Sequence, residues 1–247
     1  MNDRIIDVKG LNVSYDKKNV LTNIYLHVDG AHAYAIIGPN GAGKSTLFKA
    51  ILGLVDYSQG SVLVYGKPID ESRKKIAYIP QKDNFDWDFP ATVKDVILMG
   101  RYPHKKWYQK INHEDRQKAF EAMEALQISD LAERQIGKLS GGQQQRVYIA
   151  RALCQEADIF FLDEPFAGVD VTTEEAIVGI MHDLKNRGKT FLLVHHDLTT
   201  VQKYFDRVIM INQRLIAFGD INQVFNQENL SLCYGSQLSI LHKIQHL

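Results

Sequence analysis

The stretch that most limits what this 247-residue chain can become is "GPNGAGKST", Gly38 to Thr46. It fits the spacing G-x-x-x-x-G-K-[ST], follows the strand-like "AYAII" and precedes the helix-like "TLFKAIL". In that context the loop Gly38, Pro39, Asn40, Gly41, Ala42, Gly43 wraps phosphate with inward-pointing backbone N–H groups. Lys44 meets the β and γ charges, the Ser45 hydroxyl can ligate Mg²⁺, and Thr46 completes the motif. A strand must enter this loop and a helix must leave it.

A complement lies far downstream. "IFFLDEP", residues 159–165, is an apolar strand ending in adjacent carboxylates. Asp163 can hold the Mg²⁺ shell and Glu164 can polarise an attacking water. Alone, a buried strand before an acidic turn is a common structural pattern, and it is the phosphate loop that gives the pair a chemical reading.

Strand-like runs occupy 4–8, 20–28, 32–37 and 61–65, with Asp29-Gly30 as a turn. "DIFFLD" (158–163), "TFLLVH" (190–195) and "RVIMI" (207–211) are nearly all apolar, as parallel strands covered on both faces are. Between roughly 83 and 150 the pattern turns helical. One helix begins at Thr92; another has Asn112 as its cap, acids in its first turn and Ala119, Met123 and Leu126 on its apolar face. The spacing therefore predicts an α/β core with a β-rich N-terminal part and an inserted helical subdomain.

Lys plus Arg equals Asp plus Glu at 29 each, so overall charge invites neither nucleic acid nor an anionic membrane surface. No apolar run approaches the roughly 18 residues that span a bilayer. The chain is thus expected to be cytosolic, or held at a membrane through another protein. Cys154 and Cys233 have no CxxC partner and read as free buried thiols. His242 and His246 stand at a metal-compatible i, i+4 spacing but have no evident third ligand; a solvated helix is the simpler reading.

"LSGGQQQRVYIARAL", residues 139–153, sets a second glycine pair before a helix, with no lysine of its own. Here the sequence resembles the signature of ABC-type ATPases, and the resemblance covers about residues 4–220. It implies a phosphate-loop NTPase core with an N-terminal antiparallel β subdomain, formed by 1–82 and 155–247, around a helical signature subdomain at 83–154. It also implies MgATP as substrate and two copies facing head to tail. Ser140, Gly141, Gly142 and Gln143 of one copy would then close on the γ-phosphate held by Lys44 of the other, so the second cradle needs no lysine.

Further roles are carried over by the same resemblance. Tyr15 is similar to the adenine-stacking aromatic, Gln81 to the glutamine that meets Mg²⁺ and the attacking water, and Asp170 to the aspartate linking the two sites. Gly168 and Val169 before it depart from the family's usual residues. His196 resembles the switch histidine on the γ-phosphate, with His195 read as a packed strand residue whose side chain points the other way.

The segments 82–103, "ERQIGKLSGGQQQR" and "LLVHHDL" look like those of ATPase subunits of importers for manganese, zinc or iron. That implies an integral membrane permease, an extracytoplasmic substrate-binding protein, a place at the cytoplasmic face of the membrane and no nucleic-acid partner. Phe85, Trp87 and Phe89 would dock the permease, or else cap the helical subdomain's own core. An ATPase for an iron chelate or haem, and a soluble ATPase acting on ribosomes or DNA, stay open as alternatives.

Overall fold

A computed structural model describes residues 4–16, 18–81 and 90–235. Phe85, Trp87, Phe89, His242 and His246 lie outside them. The chain divides into two compact units, Met1–Arg73 with Leu192–Leu247, and Lys74–Phe191.

In the first unit, β1 (Arg4–Tyr15) pairs antiparallel with β2 (Lys18–Asp29) and with β4 (Gln59–Val64), which sets Ile6 opposite both Val28 and Val64. Every second residue of β1 from Ile6 is buried at first, as a sheet wet on one face requires. The strand runs on to Tyr15, well past the 4–8 run expected, because an irregularity between Val8 and Leu11 resets the pairing without ending it. A second sheet holds β3 (Ala33–Ile37) parallel to β8 (Arg207–Asn212), with Ile36 opposite Ile209. All of β3 is buried, which explains its unbroken apolar sequence. Strand β9 (Arg214–Asp220) returns antiparallel on β8 through Gln213, a non-glycine residue at φ 58. It is only half-buried, and its mixed composition hid it from the pattern reading. Helix α1 (Lys44–Ile51) follows β3, three single turns α2 (Ile69–Ser72), α7 (Val201–Tyr204) and α8 (Ile221–Val224) belong to the same unit, and α9 (Gln227–Tyr234) closes the described chain.

In the second unit, β5 (Ile76–Ile79) pairs parallel with β6 (Ile159–Asp163), and the helical stretch stands between them in sequence. That stretch contains α3 (Val93–Leu98), α4 (His113–Ala125) and α5 (Gly141–Cys154). Each starts with a reciprocal capping box: Thr92 with Asp95, Asn112 with Asp115, and Ser140 with Gln143. Ala119, Met123 and Leu126 are buried as expected. Helix α6 (Val171–Asn186) follows β6. Phe160 stacks on Phe191 with ring centroids 4.7 Å apart, both fully buried.

A buried ion cluster ties these helices together. Arg101 donates to Asp115 at 3.1 Å, to Glu156 at 2.8 Å and to the Cys154 carbonyl at 2.7 Å. Lys105 also pairs with Asp115, and Lys118 with Glu156. Burial pushes the Asp115 carboxyl up, but the Asn112 amide, Lys105 and Arg101 outweigh it and hold it at about 2. Hydrogen bonds from Lys118 and Arg101 hold Glu156 at about 2 as well.

Both cysteines are buried and unpaired, and burial pushes each thiol up to about 11. Among the described residues no helix is long and apolar enough to cross a membrane.

Candidate functional site

The phosphate loop leaves β3 at Gly38. A Cβ there would sit 2.0 Å from the Ile211 carbonyl oxygen, so the close approach of β8 admits only glycine. Lys44 is 6% exposed; its ammonium donates to the Gly38 and Pro39 carbonyls at 2.8 and 3.0 Å. The loop thus curls around a buried cation. Helix α1 has no side-chain cap and no acid in its first turn, which leaves the positive end of its dipole for an anion. Ser45 and Thr46 are half-buried in that turn, Gly38, Pro39 and Ala42 are buried, and Asn40 and Gly41 are exposed. Tyr15 ends β1 with 45% of its surface exposed, an aromatic face open to a ring.

Strand β7 (Thr190–Val194) delivers two histidines with opposite fates. His195 is buried, with Nε2 2.7 Å from the Thr200 hydroxyl and its ring beside Tyr204 and Phe205. Burial lowers its pKa to about 4, so it stays neutral at physiological pH. His196 is exposed just past the strand end.

In the second unit, the parallel pairing that sets Ile79 opposite Leu162 brings the ends of β5 and β6 side by side. Gln81 Nε2 consequently donates to Glu164 Oε2 at 3.0 Å across 83 residues of sequence. Glu164 has φ 53, a left-handed backbone that is uncommon for glutamate. Asp163 is 5% exposed. The half-buried Tyr78 is pushed up to about 12 by burial and then by the Asp163 charge.

The signature residues open α5. Ser140 Oγ accepts from the Gln143 amide at 3.3 Å and Gln143 Oε1 accepts from the Ser140 amide at 3.0 Å. The first four amides of any helix lack an intrahelical acceptor, and α5 has no acid in its first turn to neutralise them. Ser140 is exposed, whereas Gly142 is buried against α6. A Cβ on Gly142 would lie 2.4 Å from Thr173 Cγ2. Thr173 in turn donates to Asp170, through its amide at 2.9 Å and its hydroxyl at 2.8 Å. These bonds, the amide's foremost, lower the exposed Asp170 carboxyl and make it the cap of α6. In the sequence, Thr173 carries no signal beyond the D-x-x-T spacing of a helix cap.

A family described as ABC transporter matches residues 21–167. The chain is 48% identical over 234 residues to the zinc transport system ATP-binding protein TroB of Treponema pallidum, covering 95% of this chain and 88% of that protein. It is 49% identical over 236 residues to the manganese transport system ATP-binding protein MntB of Bacillus subtilis, covering 96% and 94%. Among solved structures it is similar to the ADP conformation of MJ1267, an ATP-binding cassette of an ABC transporter. There the TM-score is 0.80 and the identity 29%, over 92% of this chain and 97% of that one.

Proposed function

The chain belongs to the ABC transporter family, and on that premise we propose that it is the ATP-binding and ATP-hydrolysing subunit that energises an importer for manganese or another divalent transition metal. The observation that carries this is near-full-length identity of 48–49% to proteins named for zinc and manganese transport.

In this reading Lys44 and the loop Gly38–Gly43 hold the β and γ phosphates, Tyr15 stacks on adenine, Glu164 polarises the attacking water and His196 contacts the γ-phosphate. Ser45, Asp163 and Gln81 supply oxygen donors, the set a hard cation such as Mg²⁺ prefers. Glu164 occupies the Gln81 NH₂ end, so the Gln81 carbonyl oxygen is the end that would face a cation. Bound there, Mg²⁺ would neutralise phosphate charge. Ser140, Gly141, Gly142, Gln143 and Asp170 serve the nucleotide of a second copy in a head-to-tail dimer, with 83–154 as the signature subdomain and 1–82 with 155–247 as the core.

The subunit works at the cytoplasmic face of the membrane with an integral permease and an extracytoplasmic binding protein. The permease docks on the 82–103 region, where the described neighbours Tyr102 and Trp107 are 59% and 97% exposed. The test is cellular manganese and zinc content in a strain carrying Lys44→Ala. It should fall and recover with the wild-type chain; normal metal content after deletion of the whole subunit overturns the importer reading.

A further inference from the structure

Charge is balanced over the whole chain but not along it. From Val96 to His113 there is no acidic residue, while Arg101, Lys105, Lys106 and Lys110 are all cationic. Two of these turn inward: Arg101 is buried on Asp115 and Glu156, and Lys105 also pairs with Asp115. Lys106 and Lys110 are exposed, and they bracket Trp107 and Tyr108, which are 97% and 60% exposed. The turn that carries them closes on itself. The Lys106 amide donates to Gln109 Oε1 at 2.9 Å and the Gln109 amide to the Lys106 carbonyl at 2.8 Å, while the Trp107 and Tyr108 rings meet edge to face at 5.7 Å. The buried ion cluster at its root thus holds out a short platform of two rings and two ammonium groups. Tryptophan is on average well buried in folded proteins, so a paired ring exposed to this degree calls for a partner.

We propose that this turn, Lys106 to Lys110, rests on the headgroup layer of a membrane that contains anionic lipid. Trp and Tyr favour that layer because each ring is apolar at one end and can hydrogen-bond at the other. Ammonium groups beside them reach lipid phosphates, and a cationic run with no acid of its own is drawn to a negative surface. The core of a protein interface is enriched in aromatic residues but depleted in lysine, so the two lysines bracketing the rings favour headgroups over a protein surface. Tyr102 falls inside the 82–103 region assigned to the permease, whereas the turn falls beyond it. This inference rests on the reading of the chain as a subunit that works at a membrane, and gives it a second contact there.

The test is co-sedimentation of the full chain with vesicles of phosphatidylcholine, with and without phosphatidylglycerol, at rising salt. The chain should bind the anionic vesicles at least about tenfold more tightly than the neutral ones, and added salt should weaken that binding. Lys106→Glu combined with Lys110→Glu should remove about tenfold of the affinity, and Trp107→Ala about fivefold. Melting temperatures should not change, because these side chains are exposed. The same double charge reversal at Lys9 and Lys67, exposed lysines of the other compact unit, should leave vesicle binding as it was. Equal binding to both kinds of vesicle, or variants at 106, 107 and 110 that bind like wild type, overturns the proposal. A wild-type chain that ignores vesicles, and a Trp107→Ala chain that no longer co-purifies with the permease in detergent, would give the turn to the permease and overturn it equally. Binding to anionic vesicles by a chain whose deletion leaves cellular metal content normal overturns the importer reading alone.

Discussion

Gln81 Nε2 lies 3.0 Å from Glu164 Oε2, and the register of β5 on β6 puts it there. Glu164→Gln keeps an oxygen to accept from Gln81 but removes the proposed base. Hydrolysis should slow by about 10² to 10⁴ with MgATP binding preserved, measured as phosphate release against titrated affinity. Turnover at the wild-type rate would remove Glu164 from that role.

Phosphate contacts shared between copies make a sharper claim. Lys44→Ala and Ser140→Arg chains, each inactive alone, should form mixed dimers with one disabled site and one intact site. ATPase activity should partly return on mixing. If mixed dimers form and stay as inactive as either parent, the signature helix does not serve its partner.

Gly142 and Thr173 should be energetically coupled. Gly142→Ala forces a methyl to within 2.4 Å of Thr173 Cγ2 and should cost about 1–3 kcal/mol of stability in denaturant unfolding. Thr173→Ser removes that methyl while keeping the hydroxyl that donates to Asp170, so the double variant should regain most of the loss. Simple additivity of the two substitutions would show that no clash exists.

Stability should fall with acid in two stages. His195 is protonated near pH 6.5 when unfolded but only near pH 4 when folded, so the unfolded state binds more protons between those values. The stabilisation is complete above pH 6.5 and is lost as pH falls toward 4. Asp115 and Glu156, from 3.8 and 4.5 down to about 2, contribute stability that is complete above about pH 4.5 and drains away toward pH 2. Melting temperatures from pH 7.5 to 3 should show both stages, and His195→Gln should flatten only the upper one. An unaltered upper slope in that variant would mean that His195 does not titrate as its burial requires.

Local chemistry made much of this protein legible in its sequence. The phosphate loop, the caps at Thr92 and Asn112, and the all-apolar strand before Asp163 depend on neighbours within a few residues, so spacing and residue type suffice to read them. His195 and His196 could likewise be told apart, because alternation at a strand end sends adjacent side chains to opposite sides.

Long-range pairing decided the rest. The Gln81–Glu164 bond, the Gly142–Thr173 contact and the close approach of Ile211 to Gly38 join residues tens to well over a hundred positions apart. No periodicity encodes such contacts. They exist because sheet register and helix packing, which bury apolar surface over whole elements, bring these side chains to one place. The sequence by itself determined which groups can do phosphate chemistry; only the tertiary structure decided which residues hold them in position.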